Sequence, residues 1–197
     1  MMLKNIIKTM KLNDYDVFEY DQKPFNLNIV GIRSREIKVN EFNDWIVVFW
    51  KYQGRWSQYW IKATTLCGLN YLNAPINPKG SPILCDGQYK GVYKLDLHNS
   101  KYLALCQRLG EVEVWRDNDK DSEFDFDNES KEWGMFGINI HRASSTKTLE
   151  EIGKNSAGCQ VIQNPQNFDL FIQLCELSSV NFGNAFTYTL INQKDLI

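Results

Sequence analysis

The chain has no Cys-x-x-Cys pair, only two histidines, and no apolar run longer than Trp45-Ile-Val-Val-Phe-Trp50. The first absence argues against a structural zinc site, whose ligands come in closely spaced pairs. The last argues against a membrane-spanning helix, which needs about 20 apolar residues. Charge of one sign is also missing: Lys plus Arg total 22 and Asp plus Glu total 24, a net of −2. Such a balance lacks the basic footprint that nucleic-acid binding requires. The first residues, Met1-Met-Leu-Lys-Asn-Ile-Ile-Lys8, are too polar for a secretory apolar core. The expectation is a protein made in the cytoplasm without a signal peptide and without membrane insertion. Its five cysteines, at 67, 85, 106, 159 and 175, are then reduced, and the odd count leaves at least one unpaired in any case.

What is present is a large apolar and aromatic share. Hydrophobic residues are 43% and aromatics 13% of 197 residues, enough for one substantial β-rich domain. Apolar residues at 3, 6, 7 and 10 predict a short amphipathic helix. Phe25–Val30, Trp45–Trp50 and Trp56–Ile61 read as strands, the last two joined by a hairpin turn at Gly54. Asn73–Pro82, with three prolines and a glycine, reads as a loop. Gly87–Leu95, Val112–Trp115, Phe136–His141, Gln160–Gln163 and Phe186–Ile191 read as further strands. Pro165 opens a second helix, where Phe168, Phe171, Ile172 and Cys175 fall at helical spacing. The fold class is mainly β with two peripheral helices. Residues 1–40 read as an N-terminal helix and strand extension, and 41–197 as the body of the domain.

Two segments carry candidate chemistry. In the first, Asp117, Asp119, Asp121 and Asp125 alternate along an acidic loop, as hard oxygens do around calcium. Ser122 stands where the calcium loop of an EF-hand has Gly, and Asn128 where it has a bidentate Glu. A solvated acidic hairpin loop explains the same residues. The cofactor expectation is therefore none, with calcium as the alternative.

In the second, His141 ends Gly134–His141 and Cys159 ends Asn155-Ser-Ala-Gly-Cys, with a polar loop between. An imidazole beside a thiol can take its proton and return it to a leaving amine. Ser156, Ala157 and Gly158 leave backbone room for a substrate carbonyl. The N–H groups of Gly158 and Cys159 are candidates for an oxyanion site. Ser156 either holds the turn or binds substrate. Asn139 shares a strand face with His141 by the period of two, and either contacts substrate or satisfies local backbone. Trp133 is a further cleft candidate. His98, in His-Asn-Ser, reads as a surface turn residue or a substrate contact.

A histidine, a polar gap and then Ser156-Ala157-Gly158-Cys159 resemble the signature of L,D-transpeptidase catalytic domains, the YkuD family. Ser81-Pro82 through Gly87-Gln-Tyr89 is similar to the family's strand entry, and the likeness spans about residues 79–163. Phe136–Ala143 with Asn155–Val161 looks closer still to a phage-encoded branch of such domains. The resemblance implies a β-sandwich-like fold with Cys159 as nucleophile and His141 as base, oriented by a backbone carbonyl. It implies peptidoglycan stem peptides as substrate, cleaved or cross-linked through a thioester. It also implies a protein that is virion-associated, with other virion proteins as partners, or released at lysis. Ala157 replaces the family's usual His, and Val161 stands where many members have Arg. Arg142 and Lys154 are the nearby cations that could take over carboxylate recognition. The rival expectation is a structural or interaction protein of the virion that keeps the fold without the activity.

Overall fold

A computed structural model describes residues 2–197. The chain forms eleven strands: β1 (Asn28–Arg33), β2 (Asp44–Tyr52), β3 (Arg55–Thr64), β4 (Ser81–Leu84), β5 (Gly87–His98), β6 (Tyr102–Gln107), β7 (Val112–Asp117), β8 (Glu132–Gly134), β9 (Ile140–Arg142), β10 (Gln160–Ile162) and β11 (Phe186–Asn192). Three helices accompany them: α1 (Leu3–Leu12), α2 (Leu69–Asn73) and α3 (Pro165–Phe182). The mainly β class holds. The sandwich does not: eight strands close into a barrel in the order β1-β11-β5-β6-β9-β10-β3-β2, and β4-β7-β8 form a separate sheet. Closure comes from β1, which pairs parallel with β11 and antiparallel with β2. Residues before 41, read from sequence as an extension, thus supply a barrel stave. Among the described residues no helix is long and apolar enough to cross a membrane.

The apolar run Trp45–Trp50 is continuous because β2 is covered on both faces. Ile46, Val48 and Trp50 enter the barrel, while Val47 and Phe49 meet Ile6 and Met10 of α1 outside it. Burying Ile6 and Met10 contributes roughly 1.5–3 kcal/mol each, which holds an otherwise short helix in place. α3 begins at Pro165, with the Asn164 side chain accepting from the Asn167 N–H at 3.0 Å. Its Phe168, Phe171 and Cys175 pack into the barrel core.

The barrel rim where β1 and β3 end is held by buried polar groups. Asp44 accepts from the N–H of Ser34 and from both the N–H and hydroxyl of Thr65. Arg33, almost fully buried, donates to the Leu84 carbonyl at 2.7 Å and to Asp86 at 3.1 Å. These bonds tie β3 and β4 to the rim beside the thiol-bearing turn.

Candidate active site

β9 and β10 run parallel, with Ile140 opposite Gln160 and His141 opposite Val161. Extending that register by one residue puts Cys159 across from Asn139, on the face of the sheet that carries His141. Two contacts hold the sulfur there. The Asn139 N–H donates to Cys159 Sγ at 3.4 Å, and the thiol donates to the Gly137 carbonyl at 3.4 Å. Diagonal positions on such a pair lie about 8 Å apart at Cα, from a strand spacing near 4.8 Å and two residue rises. The connection between the strands is pinned rather than loose. Ile152 packs with Phe42 and Val161, and Asn40 accepts from the Gly153 N–H at 2.7 Å.

The turn before Cys159 is built by its small residues. Buried Ser156 donates through Oγ to the Cys159 carbonyl at 2.8 Å and accepts the Gly158 N–H at 3.2 Å. Gly158 has φ +122°, and a Cβ there would lie 2.5 Å from the Pro82 carbonyl oxygen. Glycine is needed both for the conformation and for the close seat of the turn on β4. Two expectations change accordingly. Ser156 holds the turn, and the Gly158 N–H is already spent and cannot serve an oxyanion. The Cys159 N–H has no partner among the described residues and is the donor left for that task.

His141 is buried, and its Nδ1–H donates to the Arg142 carbonyl at 2.9 Å. That bond fixes the tautomer and leaves Nε2 as the basic lone pair. Burial pushes its pKa down to about 4, with nearby His98 acting the same way and the bond to the Arg142 carbonyl opposing. Burial pushes the Cys159 thiol up to about 11, against the Asn139 N–H, which lowers it. Both groups are neutral at pH 7, with the proton on sulfur. Among the described residues the thiol's polar partners are Gly137 and Asn139, and the imidazole is not one of them. Catalytic hydrogen bonds of this kind often close only when substrate is bound.

His98 is not a surface residue. It is 9% exposed and stacks on His141, with ring centroids 4.3 Å apart. The Asn139 Oδ1 accepts from the Gln107 N–H, so its Nδ2 faces His98 Nδ1 at 3.1 Å. The other ring nitrogen, Nε2, faces the Asn99 side-chain amide at 3.0 Å. Both ends of the Asn139 amide are thereby engaged within the fold, as its reading as a residue that satisfies local backbone expects. The His-Asn-Ser tripeptide does make a turn, with Asn99 and Ser100 at positive φ, but the turn tucks its histidine inward.

A pocket of about 330 Å³ adjoins the thiol turn, lined by Ala157, Phe136, Met135, Pro82, Ser81 and Arg116. Arg116 bonds the Gly80 carbonyl at 3.1 Å, pairs with Glu132 at 2.6 Å and lies over the Phe136 ring at 4.8 Å. It is the cleft's cation, and nothing in its sequence surroundings marked it. Arg142 instead lies over the Tyr102 ring at 4.1 Å and lines a different pocket, with Phe168 and Gln173. Lys154 is exposed in a short 3-10 turn. Trp133 is 60% exposed on β8, and its ring lies 6.4 Å from that of Tyr89.

The four other thiols are free and buried. Burial pushes Cys67 and Cys85 up to about 12.

The acidic loop does not converge on a point. Asp117 accepts the Asp125 N–H, Asp119 the Asp121 N–H, and Asp121 the Glu123 N–H. These carboxylates close successive local turns. Among the described residues no group of three or more His, Cys, Asp or Glu side chains is placed to hold a metal ion. No protein-family model, curated protein or solved structure matches the chain.

Proposed function

We propose that this protein is a cysteine acyl-transfer enzyme of L,D-transpeptidase type acting on peptidoglycan stem peptides, as peptidase or transpeptidase. The observation that carries the reading is the orientation of His141. Its Nδ1–H is tied to a backbone carbonyl, and Nε2 is the lone pair on the sheet face that carries the Cys159 sulfur. In the proposed reaction the thiol proton moves to His141 Nε2 as sulfur bonds the peptide carbonyl carbon. The C–N bond then breaks, and the same proton goes to the leaving amine. Water or a second stem's amine resolves the thioester and regenerates the thiol. The Cys159 N–H is the oxyanion donor. Arg116, in the adjoining pocket, replaces the family's downstream arginine as the cation near the substrate. A phage origin, with the protein carried in the particle or released at lysis, follows from the same resemblance.

Alkylation by iodoacetamide tests the reading. Cys159 should label first, because it is the one cysteine residue that is not fully buried. His141→Gln should slow that labelling severalfold while leaving the others unchanged.

One observation favours a second reading, a virion structural or interaction protein. The thiol proton is committed to the Gly137 carbonyl rather than to the imidazole. Slow labelling of all five cysteines, indifferent to His141, would support it.

A further inference from the structure

β3 pairs with β10 only through Ala63 and Thr64. The β2–β3 hairpin therefore overhangs the barrel from Arg55 onward, and the face that continues the barrel interior is left open. Ile61 and Ala63 enter the core, and by the period of two Tyr59, Ser57 and Arg55 follow on that same face. β2 contributes Trp50 and Tyr52 opposite Ser57 and Arg55. Trp50, Tyr52, Arg55 and Ser57, with Gln53, Pro24 and Phe25, line a groove of about 710 Å³, and Tyr59 borders it through its stack on Trp50. Tyr59 stacks on Trp50 at 6.2 Å and 19°, and Phe25 packs on Trp50 at 5.2 Å. Tyr59 is 43% and Tyr52 37% exposed.

Phe25 has φ +67°, a conformation a bulky residue adopts only when its surroundings force it. Such strain gathers at ligand clamps. Here it sets an aromatic ring as one wall of the groove. The Arg55, Ser57 and Tyr59 side chains have no hydrogen-bond partner among the described residues. No carboxylate lines the groove. The nearby Asp21 carboxylate is taken by the Gly54 N–H and by Gln22.

The ligand must therefore offer flat apolar faces and a polar rim. A purely apolar ligand would cover Arg55 and Ser57 without giving them partners, while Gln53 already donates to the Tyr52 hydroxyl. A nucleic acid needs several phosphate contacts, and the groove supplies one cation. Pyranose rings fit both demands, with C–H faces for Tyr52 and Tyr59 and hydroxyls for Ser57, Gln53 and Arg55. We propose that this groove binds an oligosaccharide chain. It lies about 23 Å along β3 from the thiol turn, counting seven residues from Ser57 to Thr64. It docks a polymer and takes no part in the reaction. The inference stands on the groove alone; with the acyl-transfer reading it would place the enzyme on the glycan that carries its peptides.

The test is a titration of the full-length Cys159→Ala protein, followed by tryptophan fluorescence and calorimetry. That variant separates sugar binding from acyl transfer. The ligands are the tetramer of N-acetylglucosamine and cellotetraose. Binding of either, weakened about tenfold or more in Tyr52→Ala/Tyr59→Ala at unchanged Tm, supports the groove. Binding of the acetylated tetramer alone identifies a cell-wall type of glycan, and binding of both identifies a general glucan site. No binding of either sugar, or binding that ignores both tyrosines and Arg55→Ala, overturns the proposal.

Discussion

The acidic loop and the thiol turn each set reactive side chains at suggestive spacing, and the fold treats them in opposite ways. In the loop, Asp117, Asp119 and Asp121 accept backbone N–H groups of their own segment. In the turn, Ser156 bonds the Gly158 N–H and the Cys159 carbonyl, and Cys159 is a half-buried residue whose turn adjoins a pocket through Ala157. What separates a site from a decorated turn is which side chain satisfies the backbone. In the loop the candidate ligands do it themselves. In the turn Ser156 takes the shorter bonds, and the sulfur keeps only two long contacts, at 3.4 Å each, to Asn139 and Gly137.

Several changes would break or sharpen that contrast. The largest effect is expected from Cys159→Ala, which should abolish muropeptide turnover, read by chromatography, at a Tm within a few degrees of the parent. Gly158→Ala should cost about 3 kcal/mol or more in urea unfolding, since a Cβ meets the Pro82 carbonyl at a positive φ. Ser156→Ala should cost about 2 kcal/mol, because it strands the buried Gly158 N–H.

The next effect is one of pH. His141 titrates near 4 in the native protein against an ordinary value of 6.5, so the unfolded chain binds more protons between those values. Stability is then full above pH 6.5 and falls as pH drops toward 4, by up to about 3 kcal/mol. The lowered pKa of His98 acts in the same direction. Urea midpoints at pH 7 and 4.5 should show the loss, and His141→Gln should reduce it. The smallest effect belongs to the loop. Asp121→Ala should change stability by under about 0.5 kcal/mol, and calcium against EDTA should move Tm by less than about 1 °C. A calcium shift of several degrees would place the loop on the same footing as the turn.

Much of the fold was legible because local pattern sufficed. The β2–β3 hairpin announces itself by two β-branched and aromatic runs on either side of Gly54, and α3 by Pro165 and the spacing of Phe168, Phe171 and Cys175. Closure was not legible. It depends on Ile29–Arg33 meeting Tyr188–Asn192 across almost the whole chain, and no local pattern encodes such a pairing. β9 and β10 are three residues each, too short to show a period. Phe136–Asn139 therefore read as strand although the ladder begins at Ile140. Phe25 also read as strand, but it lies before β1 at a positive φ, with its ring packed on Trp50.

At the site, the sequence pointed to His141 and Cys159 at the ends of two β-rich segments and singled out the small residues between Ser156 and Cys159. It could not show that Ser156 would use up the Gly158 N–H, because that depends on how the turn seats on β4. Nor could it show that Arg142 would turn toward Tyr102, or that Arg116, from the separate sheet, would reach the pocket beside Ala157. Those placements are tertiary.

Intact-mass spectrometry of the protein incubated with purified muropeptides is the most direct test of the proposed dyad. The account expects a covalent adduct whose mass equals the substrate's acyl portion, confined to Cys159, absent in Cys159→Ala and slower to form in His141→Gln. Intact substrate and unmodified protein after long incubation, with the thiol equally inert in wild type and His141→Gln, would contradict it.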